Sequence, residues 1–299
     1  MKDKKFIFEG VATALITPFL DGRIDFTSFG ALIDDQIENG IDAIVVAGTT
    51  GESSCLTDGE KLALFEFAVS RAKEKVPVIA GVGCSDSERT AAMCHAACEL
   101  GCDALLIVTP YYNRPTPSGL YEHYKLCAKR ASKPLIAYNV PARTGTNIPI
   151  DVLKRLSEEG HIQAIKEASG DLSRIAKIRS ECPALTVYSG NDDQTLPVAA
   201  LGGRGVISVV SNIFPSQMCE IYREFRLGNI DTAASLQSRL IPVISAIFCE
   251  SNPVPIKYAA YLLDLCPCEY RLPLCEPSEA SKEAVRSALE LYLGRPISE

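Results

Sequence analysis

Lys166 stands near the end of Ile162-Gln163-Ala164-Ile165-Lys166-Glu167-Ala168, a short apolar run of the kind that forms a buried strand. A lysine in that place loses water around its ammonium. Desolvation disfavours the charged form, lowers the pKa and leaves more free amine at neutral pH. A free amine attacks ketones and forms a Schiff base, chemistry that calls for neither a metal nor a cofactor. On its own, Lys166 reads equally well as an ordinary buried lysine paired with a carboxylate.

Three other segments carry chemistry-bearing residues. Gly48-Thr49-Thr50-Gly51-Glu52-Ser53 combines tight-turn glycines with hydroxyls and N–H groups able to hold a carboxylate, though such a loop can also be merely polar. In Tyr138-Asn139-Val140-Pro141-Ala142-Arg143-Thr144-Gly145 the tyrosine can shuttle protons and the arginine can fork onto a carboxylate. The plainer reading is a core-capping tyrosine and a solvated arginine. Tyr111 and Tyr112 in Thr109-Pro110-Tyr111-Tyr112-Asn113-Arg114-Pro115 are catalytic or pack at an interface. His95, His123 and His161 fall in helices or at a helix end and form no metal-type cluster, and no Ser-His-Asp arrangement suggests itself.

Positioning these residues requires a scaffold, and the chain supplies a repeating one. Eight β-rich runs cover residues 12–17, 43–48, 76–81, 104–109, 134–139, 162–166, 185–189 and 205–209. They recur at intervals of about 20 to 35 residues, the size of a βα unit. Most are continuously apolar, as strands covered on both faces are. Capping boxes at Thr57-Asp58-Gly59-Glu60 and Ser85-Asp86-Ser87-Glu88 open helices. Thr116-Pro117 offers another start, and Gly40, Gly101 and Gly228 mark stops. Leu62, Phe65, Ala68 and Val69 have the spacing of a core-facing stripe. The pattern predicts an α/β fold, a (β/α)8 TIM barrel over residues 1–229, followed by a C-terminal α-helical extension over 230–299 with helices at 230–249, 255–265 and 276–293. The competing architecture, an open doubly wound sheet, usually carries a glycine-rich phosphate loop after its first strand, and none stands there. In a barrel the active site lies at the C-terminal ends of the strands. Lys166, Tyr138, Arg143 and the two threonines share that face, whereas Lys75 and Lys133 precede strands and belong to the other.

Composition narrows the function. With 299 residues and 47% hydrophobic content the chain can bury a sizeable core. A net charge of −7 argues against nucleic acid or an anionic membrane as partner. No apolar run suits a transmembrane helix, and the N-terminal apolar run is too short for a signal peptide, so a cytoplasmic location is expected. Among twelve cysteines, Cys94, Cys98 and Cys102 have core-face spacing, while Cys266, Cys268 and Cys275 lack zinc-ribbon spacing. Reduced, mostly buried thiols are expected, with no metal.

The quoted segments, with Ile165-Lys166-Glu167-Ala168-Ser169-Gly170, Ser189-Gly190-Asn191-Asp192 and Gly202-Gly203-Arg204-Gly205-Val206-Ile207-Ser208, resemble the dihydrodipicolinate synthase family, in order and over essentially the whole chain. This group belongs to the pyruvate-dependent class I aldolases. The resemblance implies that Lys166 forms a Schiff base with pyruvate. The enamine then attacks L-aspartate-4-semialdehyde, and the product cyclises with loss of water, a step of the diaminopimelate and lysine pathway. It further implies a proton relay of Tyr138, Thr49 and Tyr112, the last reaching a neighbouring subunit's site. Thr50 would hold the pyruvate carboxylate, Arg143 that of the semialdehyde, and Gly190 and Ile207 would line the pocket through backbone groups. A homotetramer built from tight dimers is implied, with no cofactor.

One departure stands out. Lysine-inhibited members carry His and Glu where this chain has Lys61 and Arg89. Two cations repel an ammonium effector, so weak or absent lysine feedback is expected, although Tyr111 and Ser53, which match other parts of that effector site, are present. Sister aldolases acting on sugar acids share the lysine and tyrosine, but Arg143 suits a small acidic aldehyde better. A non-catalytic barrel that senses 2-keto acids would have no reason to fill every catalytic position.

Overall fold

The computed structural model describes residues 6–73 and 75–297; residues 1–5, part of the segment tested above as a leader, lie outside them. The eight predicted runs form one closed parallel barrel. Its strands are β1 Gly10–Ala14, β2 Ala43–Val46, β3 Val78–Gly81, β4 Ala104–Val108, β5 Leu135–Asn139, β6 Ala164–Glu167, β7 Thr186–Ser189 and β8 Gly205–Ser208. Each pairs with the next, and β8 closes on β1 from Gly10↔Gly205 to Thr13↔Ser208. Closure excludes the open doubly wound sheet.

The apolar continuity of the strands has the expected cause. Side chains of one parity fill the barrel interior, among them Ala12, Ala43, Ala104, Tyr138, Tyr188 and Ile207. Those of the other parity, such as Val11, Ile44, Leu105, Ile165 and Val206, pack outward against the helices. Both faces are therefore dry. Lys166 is two residues beyond inward-facing Ala164, so strand alternation turns it into the interior as well. Sequence placed Lys166 at the strand end; the strand in fact runs one residue further, to Glu167.

Thr57 and Glu60 form the predicted capping box at the head of the helix Asp58–Ala72. The box expected at Ser85 is corrected by one residue. Asp86 is the N-cap of Ser87–Glu99 and accepts from the Arg89 N–H, because its carboxylate is the better acceptor for that donor. Thr116 caps Pro117–Arg130 as expected. The core stripe of Asp58–Ala72 is also displaced: Lys61, Leu64, Phe65, Ala68 and Ala72 are buried, whereas Leu62 and Val69 are only half-buried. A small hairpin, Phe19–Leu20 with Arg23–Ile24, was not expected from sequence. Its strands are too short to show alternation, although Asp21-Gly22, both at positive φ, is a hairpin-turn dipeptide.

Helices Ile230–Ile247, Val254–Leu262 and Glu279–Leu293 form the C-terminal extension. It is tied to the barrel by a fully buried ion pair, Lys257 Nζ to Glu52 Oε1 at 2.6 Å, with Glu52 in the loop after β2. Lys257 also donates to the Glu269 carbonyl at 2.6 Å, and Arg271 N–H donates to Glu52 Oε2 at 3.3 Å. All twelve cysteines are free thiols; Cys94, Cys98, Cys102, Cys127, Cys182 and Cys266 are buried, and the other six are partly or fully exposed. Among the described residues no helix is long and apolar enough to cross a membrane.

Candidate active site

The C-terminal ends of β2 to β5 surround a cavity of about 210 Å³, lined by Thr49, Ser53, Tyr111, Tyr138 and Arg143 among others. Close backbone approach shapes its floor. A Cβ on Gly81 would come within 2.4 Å of the Ala47 carbonyl, so only glycine allows β3 to run this close to the loop after β2. Ala47 itself sits at φ 51, a strained conformation that turns the chain into Gly48-Thr49-Thr50.

Lys166 and Tyr138 occupy paired positions on adjacent strands. The Lys166 Nζ lies 4.5 Å from the centroid of the Tyr138 ring. Burial takes water from the ammonium and lowers its pKa from 10.5 to about 8; the Asp192 charge opposes that fall and the Arg143 charge adds to it. Lys166 is not paired with the carboxylate beside it in sequence. Its sequence neighbour Glu167 faces the other side of β6, where it bonds Arg174 Nε at 2.9 Å and Asn139 Nδ2 at 2.8 Å. Tyr138 is pushed above its ordinary pKa by burial, against the charge of Arg143 and a hydrogen bond with the Thr49 side chain. Lys166, Tyr138 and Thr49 thus run from a depressed amine to a neutral phenol to a hydroxyl.

A second group gathers at the mouth. Thr50 is buried, and its Oγ1 accepts from Asn252 Nδ2 at 3.0 Å. Arg143 lies on the short helix Pro141–Thr144 and donates through Nη2 to the Asn252 carbonyl at 2.9 Å. One asparagine of the C-terminal extension therefore holds both expected carboxylate-binding residues. Sequence reasoning missed Asn252. Its only signal was the turn-favouring Asn252-Pro253 dipeptide in a region read as helices alone.

The remaining expected residues are distributed as follows. Ile207 faces the barrel interior and is fully buried. Gly190 directly follows β7; a Cβ there would lie 2.5 Å from the Ala168 Cβ, and its N–H donates to the Glu167 carbonyl at 2.8 Å. Neither lines the cavity, and nor do Thr50 and Lys166, the latter lying against cavity-lining Tyr138. Tyr112 is not brought to the site within this chain: it is 95% exposed and held at φ 71. Asp192, part of a segment singled out in the sequence but given no role there, is buried beside Lys166. Among the described residues no group of three or more His, Cys, Asp or Glu side chains is arranged to hold a metal ion.

Residues 7–291 match the model of the dihydrodipicolinate synthetase family. The chain belongs to that family. As a member of the dihydrodipicolinate synthetase family it is a lyase of the class I aldolase superfamily. It is 45% identical over 287 residues to the 4-hydroxy-tetrahydrodipicolinate synthase of Caldicellulosiruptor saccharolyticus, covering 96% of this chain and 97% of that one. The dihydrodipicolinate synthase of Aquifex aeolicus superposes with a TM-score of 0.95 at 40% identity, covering 98% of this chain and all of the other. The chloride-inhibited dihydrodipicolinate synthase of Acinetobacter baumannii, solved in complex with pyruvate, superposes with a TM-score of 0.93 at 38% identity, covering 95% and 98%.

Proposed function

We propose that this member of the dihydrodipicolinate synthetase family condenses pyruvate with L-aspartate-4-semialdehyde, as a 4-hydroxy-tetrahydrodipicolinate synthase does. The observation that carries the reading is the buried Lys166, with its lowered pKa, packed against Tyr138 at the C-terminal end of the barrel.

The chemistry follows from the geometry. At pH 7 a pKa of about 8 leaves about a tenth of the Lys166 amine free, against about three parts in ten thousand at the ordinary value. The amine lone pair adds to C2 of pyruvate, and the keto oxygen leaves as water, with one proton from the amine and one from Tyr138, to give an iminium. The cationic nitrogen draws electrons, so the methyl group gives up a proton and an enamine forms. Tyr138, kept neutral by burial and hydrogen-bonded to Thr49, is placed to move that proton without leaving charge in an apolar pocket. The enamine carbon attacks the aldehyde carbon of the second substrate, and the resulting alkoxide takes up a proton from the same relay. The second substrate's amine then displaces Lys166 from C2 and closes the ring.

Thr50 and neighbouring loop N–H groups hold the pyruvate carboxylate, and Arg143 at the cavity wall binds the carboxylate of the semialdehyde. Gly190 and Ile207 contribute backbone groups. Tyr112 completes the relay of a neighbouring copy within a homotetramer. A non-glycine residue that carries its ring almost wholly exposed in a left-handed conformation supports that placement. We place the enzyme in the cytoplasm, consistent with its free thiols. The test is a coupled assay comparing aspartate semialdehyde with sugar-acid substrates in the wild type and in Lys166→Ala. Turnover of the semialdehyde that disappears in the variant is expected. Preference for a sugar acid, or undiminished turnover in the variant, overturns the reading.

A further inference from the structure

Asp192 is the first residue of the 3-10 turn Asp192–Gln194, three residues beyond the end of β7. β7 is the neighbour of β6, and Tyr188 on it is in register with Lys166. The carboxylate is buried. One of its oxygens is anchored: Oδ2 accepts from the N–H groups of Val209 and Val210 at 3.0 and 3.2 Å, both just after β8. The Ser208 side chain lies close enough to favour the anion as well. The other oxygen, Oδ1, is buried and has no hydrogen-bond partner among the described residues. A buried carboxylate oxygen left unpaired costs stability and calls for an explanation.

The charges around it supply one. Among the described residues the charged groups acting on Lys166 are Asp192 and Arg143, of which Asp192 is the anion, and the charged group acting on Asp192 is Lys166. The uncharged titratable neighbour is Tyr138. Burial pushes the Asp192 pKa up, while Ser208 and the two backbone donors act in favour of the anion. Free Lys166 can escape its own burial by losing a proton. The iminium cannot give up its charge so cheaply, because the neutral imine no longer draws electrons from the methyl group.

We propose that Asp192 is the counter-charge of the Lys166 Schiff base, a positioning residue that keeps the linked nitrogen protonated until the methyl proton has left. This rests on Lys166 being the Schiff-base residue. The iminium forms by addition of the amine lone pair to C2 and loss of the keto oxygen as water, which takes one proton from the amine and one from Tyr138, while one N–H proton stays on nitrogen. The Asp192 carboxylate stays unprotonated and bonds to nothing. When the methyl C–H breaks, its proton returns to the Tyr138 oxygen that protonated the departing water, its electron pair becomes the enamine double bond, and the nitrogen becomes neutral. Deep in a site of low dielectric, one fixed anion decides whether the nitrogen is iminium or imine.

The test is the pH dependence of kcat and kcat/KM for pyruvate in the wild type, Asp192→Asn and Ser208→Ala. Asparagine can still accept from Val209 and Val210 through its side-chain oxygen, so the turn keeps its anchor while the charge is lost. In Asp192→Asn the acidic limb of kcat/KM moves to lower pH by about one unit, because Lys166 loses its stabilising anion. The basic limb of kcat moves the same way, and kcat at pH 8 falls about 10- to 100-fold. Limbs that superpose on the wild type after scaling overturn the proposal, since a purely structural role lowers activity evenly. Ser208→Ala keeps the carboxylate but removes a group that favours its anion, and serves if the asparagine variant does not fold. Its acidic limb of kcat/KM moves the same way as that of Asp192→Asn, by about a third of a unit or more, because an Asp192 more easily protonated stabilises the Lys166 charge less; an unmoved limb overturns the proposal. Wild-type protein reduced with borohydride in the presence of pyruvate separates the two levels. A Lys166 adduct with unmoved limbs sinks the counter-charge alone, and no adduct sinks the Schiff-base reading beneath it.

Discussion

Replacing Lys166 by methionine should abolish activity and at the same time stabilise the protein at neutral pH. Burial lowers the pKa of this lysine from 10.5 to about 8. Between those values the unfolded chain keeps a proton that the folded chain has released, so stability rises with pH across the window. Below about pH 8 the folded state carries the whole penalty of a buried ammonium. A gap of about 2.5 units corresponds to about 3 kcal/mol. Methionine has a similar length and no charge to desolvate, so the variant escapes that cost. For a chain of 299 residues this is a rise of about 5 °C in Tm. The assay is thermal unfolding of both proteins at one protomer concentration, since assembly also shifts Tm, at intervals from pH 6.5 to 10.5. The variant should lead by about 5 °C at pH 7, and the lead should shrink above pH 8 and largely vanish by pH 10.5. A lead that does not change with pH, or a variant less stable at pH 7, would refute the reasoning.

Other perturbations test neighbouring parts of the account. Glu52→Gln leaves Lys257 as an unpaired buried cation and should cost about 3 to 5 kcal/mol in urea unfolding; a loss under 1 kcal/mol would show that the pair does not hold the extension to the barrel. Arg143→Ala should raise KM for the semialdehyde about tenfold or more and change KM for pyruvate little; equal effects on both would place Arg143 elsewhere in the reaction. Lysine should inhibit weakly or not at all, because Lys61 is buried and Arg89, bonded to Asp58 at 2.8 Å, adds a second cation beside it. Half-inhibition by submillimolar lysine contradicts this.

Much of the architecture was legible because a barrel repeats itself. Eight apolar runs at regular spacing, each between helix signals, admit few folds, and the strand-end rule then sorted Lys166, Tyr138 and Arg143 onto one face. What stayed hidden depended on contacts between parts far apart in the chain. Asn252 meets Thr50 and Arg143 only after the extension has packed down, and Lys257 reaches Glu52 across 205 positions. Asp192 stood in plain view within a recognised segment, yet its meaning lies in an oxygen that bonds to nothing, which no pattern of residues displays. The shifted stripe on Asp58–Ala72 has a similar cause. The buried face includes Lys61, a residue that composition alone assigns to solvent.

The central claim is that a covalent bond joins Lys166 to a keto acid. Mass spectrometry of the intact protein after borohydride reduction with pyruvate, followed by peptide mapping, measures that bond directly. The account predicts one pyruvate-derived mass increment per chain, confined to the peptide that contains Lys166. An unmodified protein, or an increment on any other lysine, would contradict it.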